Sequence, residues 1–408
     1  MKIILPPKVK YIINEIYANG YEAYIVGGCV RDNLIGIKPN DFDITTSATP
    51  DKIMNIFSNF KCIKTGIKHG TVGVIIDKEI FEITTYRIES KYKDHRRPDI
   101  IEFTNNLHED LKRRDFTINS MAYNEKNNLV DIFGGKLDIE NKIVRTVGNP
   151  NERFNEDGLR MIRAIRFSSK LNFHIEENTL KAIYDNAYII KSISLERITD
   201  EFIKIILSDN PQNLIYLFKS EIINYLGICN DRCENKFDEL FERLTLLKKV
   251  EKDLLKRLII LDYFITYVNI DCKRIGNQLI FSKKISKFEN IVLECIDKID
   301  IKKLDKIKIK KILNEIGLDL FKTYLDICGV IYNKDKNVEN IIDILSEIEE
   351  NNECYTIKNL DIKGNDIIHL GYKNEKIGQI LNYLLEEVIK SPLLNKKEIL
   401  VKRIKEIY

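Results

Sequence analysis

The 408-residue sequence lacks long apolar runs and has almost no excess of either charge. Its most apolar segment, residues 257–268, is interrupted by Asp262 and is too short to cross a bilayer. Residues 1–7 show neither the apolar stretch nor the cleavage site of a signal peptide, so we expect a cytoplasmic location without membrane contact. Basic residues number 65 and acidic residues 62, and a net charge of +3 does not by itself indicate a nucleic-acid partner.

Cysteine and proline are also scarce. The eight cysteines are scattered, and only Cys229 and Cys233 lie close together, without the second pair or histidine cluster that a zinc site requires. We therefore expect reduced thiols. Beyond residue 150 the only prolines are Pro211 and Pro392, which is typical of a region dominated by long helices.

The length predicts two to four domains, and the character of the chain changes near residue 150. Before that point most of the glycines occur, and two β-branched segments, 70–76 and 80–86, are predicted to form a hairpin. After that point apolar residues recur at helical spacing, notably in segments 159–167, 198–207, 291–299 and 377–389.

Two carboxylates stand out in the segment Asn40-Asp41-Phe42-Asp43. On a strand, Asp41 and Asp43 would share one face while Phe42 points into the core. Two carboxylates on one face repel each other unless a cation lies between them, and Mg²⁺ prefers oxygen ligands. A surface strand with two solvated acids remains the alternative for this pattern taken alone.

A glycine pair precedes the carboxylates. Gly27 and Gly28 follow an apolar run, and such a turn brings backbone N–H groups close to phosphate oxygens. Arg31 would add a charge-assisted contact to a triphosphate. The order of glycine pair, Arg31 and Asp-x-Asp resembles that of the polymerase-beta nucleotidyltransferase superfamily.

A third constellation places Asp157, Arg160, Arg163 and Arg166 at every third position of a predicted helix. A salt-bridged surface helix is one interpretation. Base chemistry offers another, because cytosine and adenine both present an amine donor beside a ring-nitrogen acceptor, whereas guanine and uracil present the opposite order. A carboxylate at Asp157 and a guanidinium at Arg160 would accept C and A and leave G or U with unmatched polar groups. Arg163 and Arg166 would then hold phosphates or brace the pair.

The roles of two basic segments remain open. Of the adjacent Arg113 and Arg114, only one is expected to face a nucleotide. Residues 302–311 read K-K-L-D-K-I-K-I-K-K, and both a solvated helix face and a phosphate-binding strip explain that pattern.

Together these motifs resemble those of one family. G-G-C-V-R-D, D-F-D-I-T-T-S-A, E-I-T-T-Y-R, D-H-R-R-P, R-R-D-F-T-I-N, F-G-G-K-L-D, R-T-V-G-N-P and E-D-G-L-R are similar to motifs of the class II tRNA nucleotidyltransferases, the bacterial CCA-adding enzymes. The resemblance is dense over residues 22–207, sparse over 210–350, and returns at 360–380. It implies an α+β head with a five-stranded sheet at 1–148, then an all-α neck at 149–210, body at 211–300 and tail at 301–408.

The resemblance also implies roles for the candidate residues. Asp41 and Asp43 would be the ligands of catalytic Mg²⁺, and Glu82 is our candidate for a third catalytic carboxylate. The triphosphate would be contacted by Gly28, Arg31 and Arg114. The base would be selected by Asp157 and Arg160, and the nucleotide would be supported by Arg163 and Arg166. Gly158 is a departure, since the family usually has proline or alanine there, and we expect glycine to loosen the first turn of the helix.

The implied function is addition of C, C and A from CTP and ATP to the 3′ end of tRNA. Three alternatives stay open: a poly(A) polymerase, a partial enzyme that adds only A, and an RNA-binding protein that has lost catalysis. The tail-like C-terminal motifs favour tRNA recognition, and the presence of both Asp41 and Asp43 favours catalysis. The sequence does not fix the oligomeric state, for which a homodimer is one alternative.

Overall fold

The computed structural model describes residues 3–92, 98–230, 234–332 and 335–407, without the side chains of 90–92, 98–100 and 234. The chain divides into two compact units. The first comprises Met1–Lys248 and Ile265–Ile280, and the second comprises Lys249–Phe264 and Phe281–Tyr408. The division of the chain into head, neck, body and tail at the boundaries given above stays a prediction.

The first unit contains all the strands of the described ranges. They are β1 (Ala23–Val26), β2 (Ile44–Thr46), β3 (Lys61–Ile63), β4 (Thr71–Ile76), β5 (Glu79–Thr85), β6 (Arg87–Tyr92), β7 (Pro98–Phe103), β8 (Met121–Asn124), β9 (Asn128–Asp131), β10 (Ile143–Val144) and β11 (His174–Ile175). Seven of them form a mixed sheet in the order β3-β4-β5-β2-β1-β8-β9, in which only β2 and β5 run parallel.

This sheet differs from expectation in its size. Five strands were expected, and the structure has seven, because the short edge strands β3 and β9 pair with the open sides of β4 and β8. The predicted hairpin is confirmed as β4–β5, and its two turn residues, Asp77 and Lys78, both have positive φ, as a tight hairpin turn requires. A separate antiparallel ribbon, β6–β7, follows directly after β5.

Helices account for most of the remaining chain. They are α1 (Pro7–Ala18), α2 (Gly28–Leu34), α3 (Pro50–Ile56), α4 (Leu107–Lys112), α5 (Gly135–Glu140), α6 (Pro150–Glu156), α7 (Leu159–Leu171), α8 (Glu177–Asn186), α9 (Leu195–Ile206), α10 (Ile215–Lys219), α11 (Ile222–Tyr225), α12 (Phe237–Thr245), α13 (Leu254–Tyr267), α14 (Ile275–Gln278), α15 (Lys283–Lys298), α16 (Lys306–Ile316), α17 (Leu318–Ile331), α18 (Lys336–Glu350), α19 (Gly364–His369), α20 (Glu375–Lys390) and α21 (Lys397–Ile407). None of these helices is long and apolar enough to cross a membrane.

The four helical predictions are confirmed by α7, α9, α15 and α20. Each observed helix begins earlier than its predicted segment or extends beyond it at the C-terminal end, since caps rather than apolar periodicity set the termini. The region expected to be entirely helical contains one exception, the two-residue strand β11, which pairs in parallel with β10.

Each unit has its own core. In the first, the sheet residues Ile25, Ile44 and Ile83 are completely or almost completely buried, as are Ile12 and Ile16 of α1. In the second, α19, α20 and α21 enclose an aliphatic cluster that includes Ile367, Leu384 and Ile404. These buried residues belong to the apolar faces that the helical and alternating patterns of the sequence predict.

The expectation of reduced thiols throughout is wrong for two cysteines. Cys229 and Cys272 form a disulfide within the first unit, between backbone segments that pair as an isolated antiparallel bridge. The sequence places them 43 residues apart, so spacing did not indicate the contact. Cys233, the expected neighbour of Cys229, lies outside the described residues.

Candidate active site

The glycine pair forms the turn between β1 and α2. Gly27 has φ 77° and ψ −128°, a conformation that side-chain-bearing residues rarely adopt. A Cβ atom at Gly27 would lie 3.2 Å from Nη1 of Arg114, and one at Gly28 would lie 3.6 Å from Nη2 of Arg31. The turn is therefore the place where both predicted triphosphate-binding arginines approach the backbone closely.

Arg31 is held firmly by protein contacts. Its side chain is buried, its Nη1 donates to Oδ1 of Asn119 at 2.6 Å, and its Nη2 donates to Oδ1 of Asp32 at 2.7 Å. The guanidinium also lies 5.2 Å from the centre of the Phe167 ring. These contacts fix its position beside the turn and use part of its hydrogen-bonding capacity.

Arg114 is less fully paired. Its Nη2 donates to Oδ2 of Asp110 at 3.2 Å, whereas its buried Nε has no hydrogen-bond partner. Its positive charge partly opposes the rise that desolvation causes in the pKa of Asp43, so the two side chains are close enough to interact electrostatically. Arg113 binds Asp110 and Glu89, and that only one of the two adjacent arginines faces a nucleotide stays a prediction.

Asp41, Asp43 and Glu82 line one cleft of about 850 Å³. The two aspartates lie just before β2 rather than on it, although the Asp43 carbonyl accepts from Val26 N–H at 3.0 Å and so extends the pairing with β1. Phe42 does not enter the core as expected. It is half-buried and lines the same cleft, because the segment is not yet a regular strand there.

The carboxylates of this cleft repel one another. Loss of solvent around the Asp43 carboxylate raises its pKa, and the negative charges of Asp41 and Glu82 raise it further, while Arg114 opposes them. Among the described residues, no group of three His, Cys, Asp or Glu side chains is placed to hold a metal ion. Two carboxylates therefore face the cleft as a pair, with Glu82 close enough to act through its charge.

The arrangement around Asp157 differs from the predicted continuous helix. Helix α6 ends at Glu156, and Asp157 is extended, with φ −145° and ψ 104°, before α7 begins. Its Oδ1 accepts from Leu159 N–H at 3.1 Å and so satisfies a backbone donor at the start of α7, whose N-cap is Gly158. Both of its oxygens also bind Arg197 of α9, at 3.2 and 2.8 Å.

Arg160 is paired separately from Asp157. It is buried near the start of α7, and its Nη1 donates to Oε2 of Glu156 at 2.6 Å. Its Nη2 donates to the carbonyl of Arg113 at 3.2 Å, which ties it to the segment that carries Arg114. The two predicted base-selecting residues are thus close in the chain but are oriented by different partners.

Arg163 and Arg166 converge on Phe167. Their guanidinium carbons lie 5.5 and 3.9 Å from the centre of that ring. The guanidinium of Arg31 contacts the same ring. Arg163 binds Asp115, and although burial alone would raise the pKa of that carboxyl, Arg163 lowers it to about 2. Arg166 forms an ion pair with Glu201 at 2.5 Å. Phe167 thereby brings the glycine turn and α7 together.

Gly158 has a packing role that the sequence did not predict, and its loosening of the helix start stays a prediction. A Cβ atom there would lie 2.8 Å from Cγ2 of Ile189, a contact that side chains essentially never make. Since Ile189 is almost fully buried, it has little room to move. The glycine therefore permits close packing against Ile189.

Known proteins resemble this chain over nearly its whole length. Residues 23–145 match the family described as "Poly A polymerase head domain", and residues 172–227 match "Probable RNA and SrmB- binding site of polymerase A". The CCA-adding enzyme of Ligilactobacillus salivarius (strain UCC118) is 37% identical over 413 residues, covering 97% of this chain and 95% of the relative. The chain belongs to the CCA-adding enzyme family.

Other relatives agree over shorter lengths or at lower identity. The CCA-adding enzyme of Enterococcus faecalis is 50% identical over 201 residues, about half of each chain. The crystal structure of the Bacillus stearothermophilus CCA-adding enzyme in complex with CTP superposes with a TM-score of 0.77 at 28% identity and covers 99% of both chains. The Thermotoga maritima CCA-adding enzyme complexed with tRNA, with a TM-score of 0.68 at 20% identity, shares the fold.

Several side chains at the site were not singled out from the sequence. They orient the predicted residues, and they are Asp110, Asp115, Glu156, Phe167 and Arg197. All but Asp110 and Asp115 lie on the helical segment after residue 149, and each is an ordinary member of an ion pair or a core in sequence terms. Only their position within CCA-adding motifs such as R-R-D and E-D-G-L-R could have indicated them.

Proposed function

We propose that Asp41 and Asp43 form the catalytic centre with which this chain adds C, C and A to the 3′ end of tRNA from CTP and ATP. Membership of the CCA-adding enzyme family supports the reaction. The observation that carries the site assignment is the carboxylate pair in a cleft, opposed by Arg114 at the glycine turn. A homodimer and a cytoplasmic location stay predictions.

The carboxylate pair fits a divalent cation. Asp41 and Asp43 face the same cleft, where desolvation and then the negative charge of Asp41 raise the pKa of Asp43, and a bound cation would offset both effects. Asp41 and Asp43 would hold Mg²⁺, with phosphate oxygens of the nucleotide supplying further ligands. When bound there, Mg²⁺ lowers the pKa of the attacking hydroxyl and stabilises the charge that builds on the phosphate.

The triphosphate would lie against the glycine turn. Gly27 and Gly28 leave room there because they carry no side chain, and Arg31 and Arg114 lie beside them. The unpaired Nε of Arg114 is a buried donor without an acceptor, a costly arrangement in a protein and one that a nearby anion offsets. Arg31, already fixed by Asn119 and Asp32, supplies a rigid positive charge.

The base would lie between the turn and the start of α7. Asp157 supplies an acceptor for the exocyclic amine, and Arg160 supplies a donor for the ring nitrogen, an order that C and A share. Arg197 and Glu156 hold these two side chains in place. Arg163 and Arg166 support the pair through Asp115, Glu201 and the Phe167 ring.

The reaction is an in-line displacement at the α-phosphate. The 3′ oxygen of the RNA forms a bond to the α-phosphorus, and the bond from that phosphorus to the oxygen bridging to the β-phosphate breaks. The hydroxyl proton is lost to solvent or to a carboxylate of the cleft, and pyrophosphate leaves. The protein contributes mainly by holding the nucleotide and the RNA end in line.

The test uses tRNA that ends before CCA, with CTP and ATP supplied separately and together. We expect two additions with CTP alone, none with ATP alone and three with both, because the order of addition is C, C, A. Product length on a denaturing gel decides the outcome. Long A tracts from ATP would indicate a poly(A) polymerase, addition of A only to tRNA already ending in CC would indicate a partial enzyme, and RNA binding without incorporation would indicate a non-enzyme.

The lysines of residues 302–311 bear on RNA binding by the second unit, and the structure divides them. Lys310 is fully buried and pairs with Glu353 at 2.5 Å, and Lys306 pairs with Glu347 and Glu353. Lys302 and Lys311 are exposed and form no ion pair within the described ranges. Part of this segment is therefore structural, and only its exposed lysines remain candidates for phosphate contact.

We expect the double substitution Lys302→Glu and Lys311→Glu to weaken tRNA binding and to reduce the slope of log affinity against log salt by about one to two. The measurement is filter binding of tRNA at several salt concentrations, with binding of free ATP as the internal control. Lys310→Met is the matched variant, and it should lower the free energy of unfolding while leaving the salt slope unchanged. An unchanged slope in the double variant would show that these lysines form only a solvated face.

A further inference from the structure

Asp110, in α4, is a buried carboxylate to which the proposed reaction assigns no role. Its side chain is fully buried, and it accepts hydrogen bonds from four residues of different parts of the first unit. They are the Thr45 hydroxyl at 3.3 Å, the Arg87 backbone N–H at 3.4 Å, Arg113 at 2.8 and 3.0 Å, and Arg114 at 3.2 Å. A buried charge is retained only where donors surround it in this way.

One branch from Asp110 leads to the triphosphate side of the site. Oδ2 accepts from Nη2 of Arg114, whose Nη1 lies over Gly27. This is the only hydrogen bond of the Arg114 side chain within the described residues, and the buried Nε of the same side chain has no partner there. Asp110 is therefore the group that orients this guanidinium.

The other branch leads to the base side. Oδ1 binds Arg113 through both Nε and Nη2, and Arg113 also binds Glu89 of the β6–β7 ribbon at 3.0 Å. The carbonyl of Arg113 in turn accepts from Nη2 of Arg160. Fixing the Arg113 side chain on one carboxylate thus fixes the backbone that orients Arg160.

Asp110 keeps its charge in this environment. Burial alone would raise the pKa of this carboxyl, but the charges of Arg114 and Arg113 outweigh burial and hold the pKa below its usual value. The contact with Thr45 connects the same group to β2, which follows directly on Asp41 and Asp43. A single ionised carboxylate therefore binds Arg113 and Arg114 directly and contacts the strand that follows Asp41 and Asp43.

We infer that Asp110 is a positioning residue that sets the orientation of Arg114 toward the triphosphate and, through Arg113, that of Arg160 toward the base. This inference rests on the proposed function. A merely structural carboxylate would stabilise the fold without affecting nucleotide affinity through Arg114. A positioning carboxylate loses its effect on affinity once Arg114 itself is removed, and that difference makes the two roles separable.

The experiment is a double-mutant cycle with Asp110→Asn and Arg114→Ala in the full chain. Affinities for inorganic triphosphate, which has no base, and for CTP are measured by calorimetry. Asparagine preserves the shape of the side chain and removes its charge. We expect Asp110→Asn to weaken triphosphate binding about tenfold and Arg114→Ala about a hundredfold, and the double variant to bind about as weakly as Arg114→Ala alone.

Asp138→Asn is the matched control. Asp138 is also buried and also binds a threonine hydroxyl and an arginine, Thr117 at 2.6 Å and Arg145 at 3.1 Å, but it contacts neither Arg113 nor Arg114. It should lower the melting temperature to a similar extent with triphosphate affinity unchanged. If Asp110→Asn does not unfold cooperatively, Thr45→Val withdraws one neutral donor from the same carboxylate, and the cycle is repeated with an expected effect of about threefold.

Additive losses in the cycle, or equal losses of affinity in Asp110→Asn and Asp138→Asn, would overturn the inference. Failure of the proposed function gives a different result, because the unaltered protein would then neither bind CTP nor extend tRNA. The unaltered protein is therefore assayed for CCA addition in the same preparation.

Discussion

Asp41→Ala or Asp43→Ala is expected to reduce nucleotide incorporation into tRNA by roughly three orders of magnitude or more. Both carboxylates line the same cleft, and the positive charge of Arg114 acts on Asp43 there. The two residues precede β2 and stay accessible from the cleft, so their removal creates no buried cavity. The melting temperature should therefore stay close to that of the unaltered protein, and this measurement serves as the control for folding.

Glu82→Gln tests whether the catalytic carboxylates are Asp41 and Asp43 alone or include Glu82 as a third. Glu82 lies in the same cleft, but no group of three ligating side chains occurs within the described ranges. If Glu82 acts only through its charge, incorporation should fall by about tenfold, far less than for the aspartates. A loss as large as that of Asp43→Ala would place Glu82 among the catalytic carboxylates.

A second measurement tests the binding of the cation directly. Titration of Mn²⁺ in the presence of CTP, followed by proton relaxation enhancement, should show a bound ion in the unaltered protein and much weaker binding in both aspartate variants. Near-normal turnover in Asp41→Ala and Asp43→Ala, together with unchanged Mn²⁺ binding, would contradict the assignment.

The second large effect concerns the choice of nucleotide. Asp157→Asn is expected to lower discrimination against UTP by roughly 10- to 100-fold, since each base contact contributes about 1–3 kcal/mol. The asparagine oxygen can still accept from Leu159 N–H, as the Asp157 oxygen does, so the contact at the helix start is preserved. The amide nitrogen then offers a donor to the uracil carbonyl, which the carboxylate repels.

Single-turnover incorporation of each of the four nucleotides measures this effect. Discrimination, not rate, is the quantity to compare, because Asp157 also binds Arg197 and its loss disturbs α9. Asp157→Ala removes the acceptor and the contact with Leu159 N–H together and should show relaxed discrimination with a lower melting temperature. Arg160→Ala should weaken use of both CTP and ATP, because both lose the donor to the ring nitrogen.

Asp185→Ala is the control, since Asp185 is an exposed acid on α8. It should leave all four rates unchanged. If Asp157→Asn slows every nucleotide equally, with no relative gain in misincorporation, Asp157 has a structural role only and the protein does not select the base through it.

The sequence indicated which residues belong to the candidate site, but it did not reveal which side chains pair with each other there. The charges of Asp41, Glu82 and Arg114 all act on Asp43, so these four predicted site residues lie near one another, while their roles stay predictions. Spacing alone suggested that Asp157 and Arg160 act from one helix, and the structure places a helix end between Glu156 and Asp157. Periodicity does not detect such a break, because a single extended residue leaves the three-residue recurrence of charges intact.

By itself, the sequence determined the elements whose causes are local. The hairpin β4–β5 follows from β-branched strands joined by a two-residue turn at Asp77 and Lys78, and the long helices after residue 150 follow from apolar periodicity without prolines. Tertiary structure alone decided the contacts between distant segments. The ion pair of buried Lys310 with Glu353, the disulfide of Cys229 with Cys272 and the contacts of Asp110 with Thr45 and Arg87 join residues tens of positions apart. Such pairings depend on which surfaces the folded chain brings into contact and on the cost of burying charge without a partner, and neither is encoded within a short window of sequence.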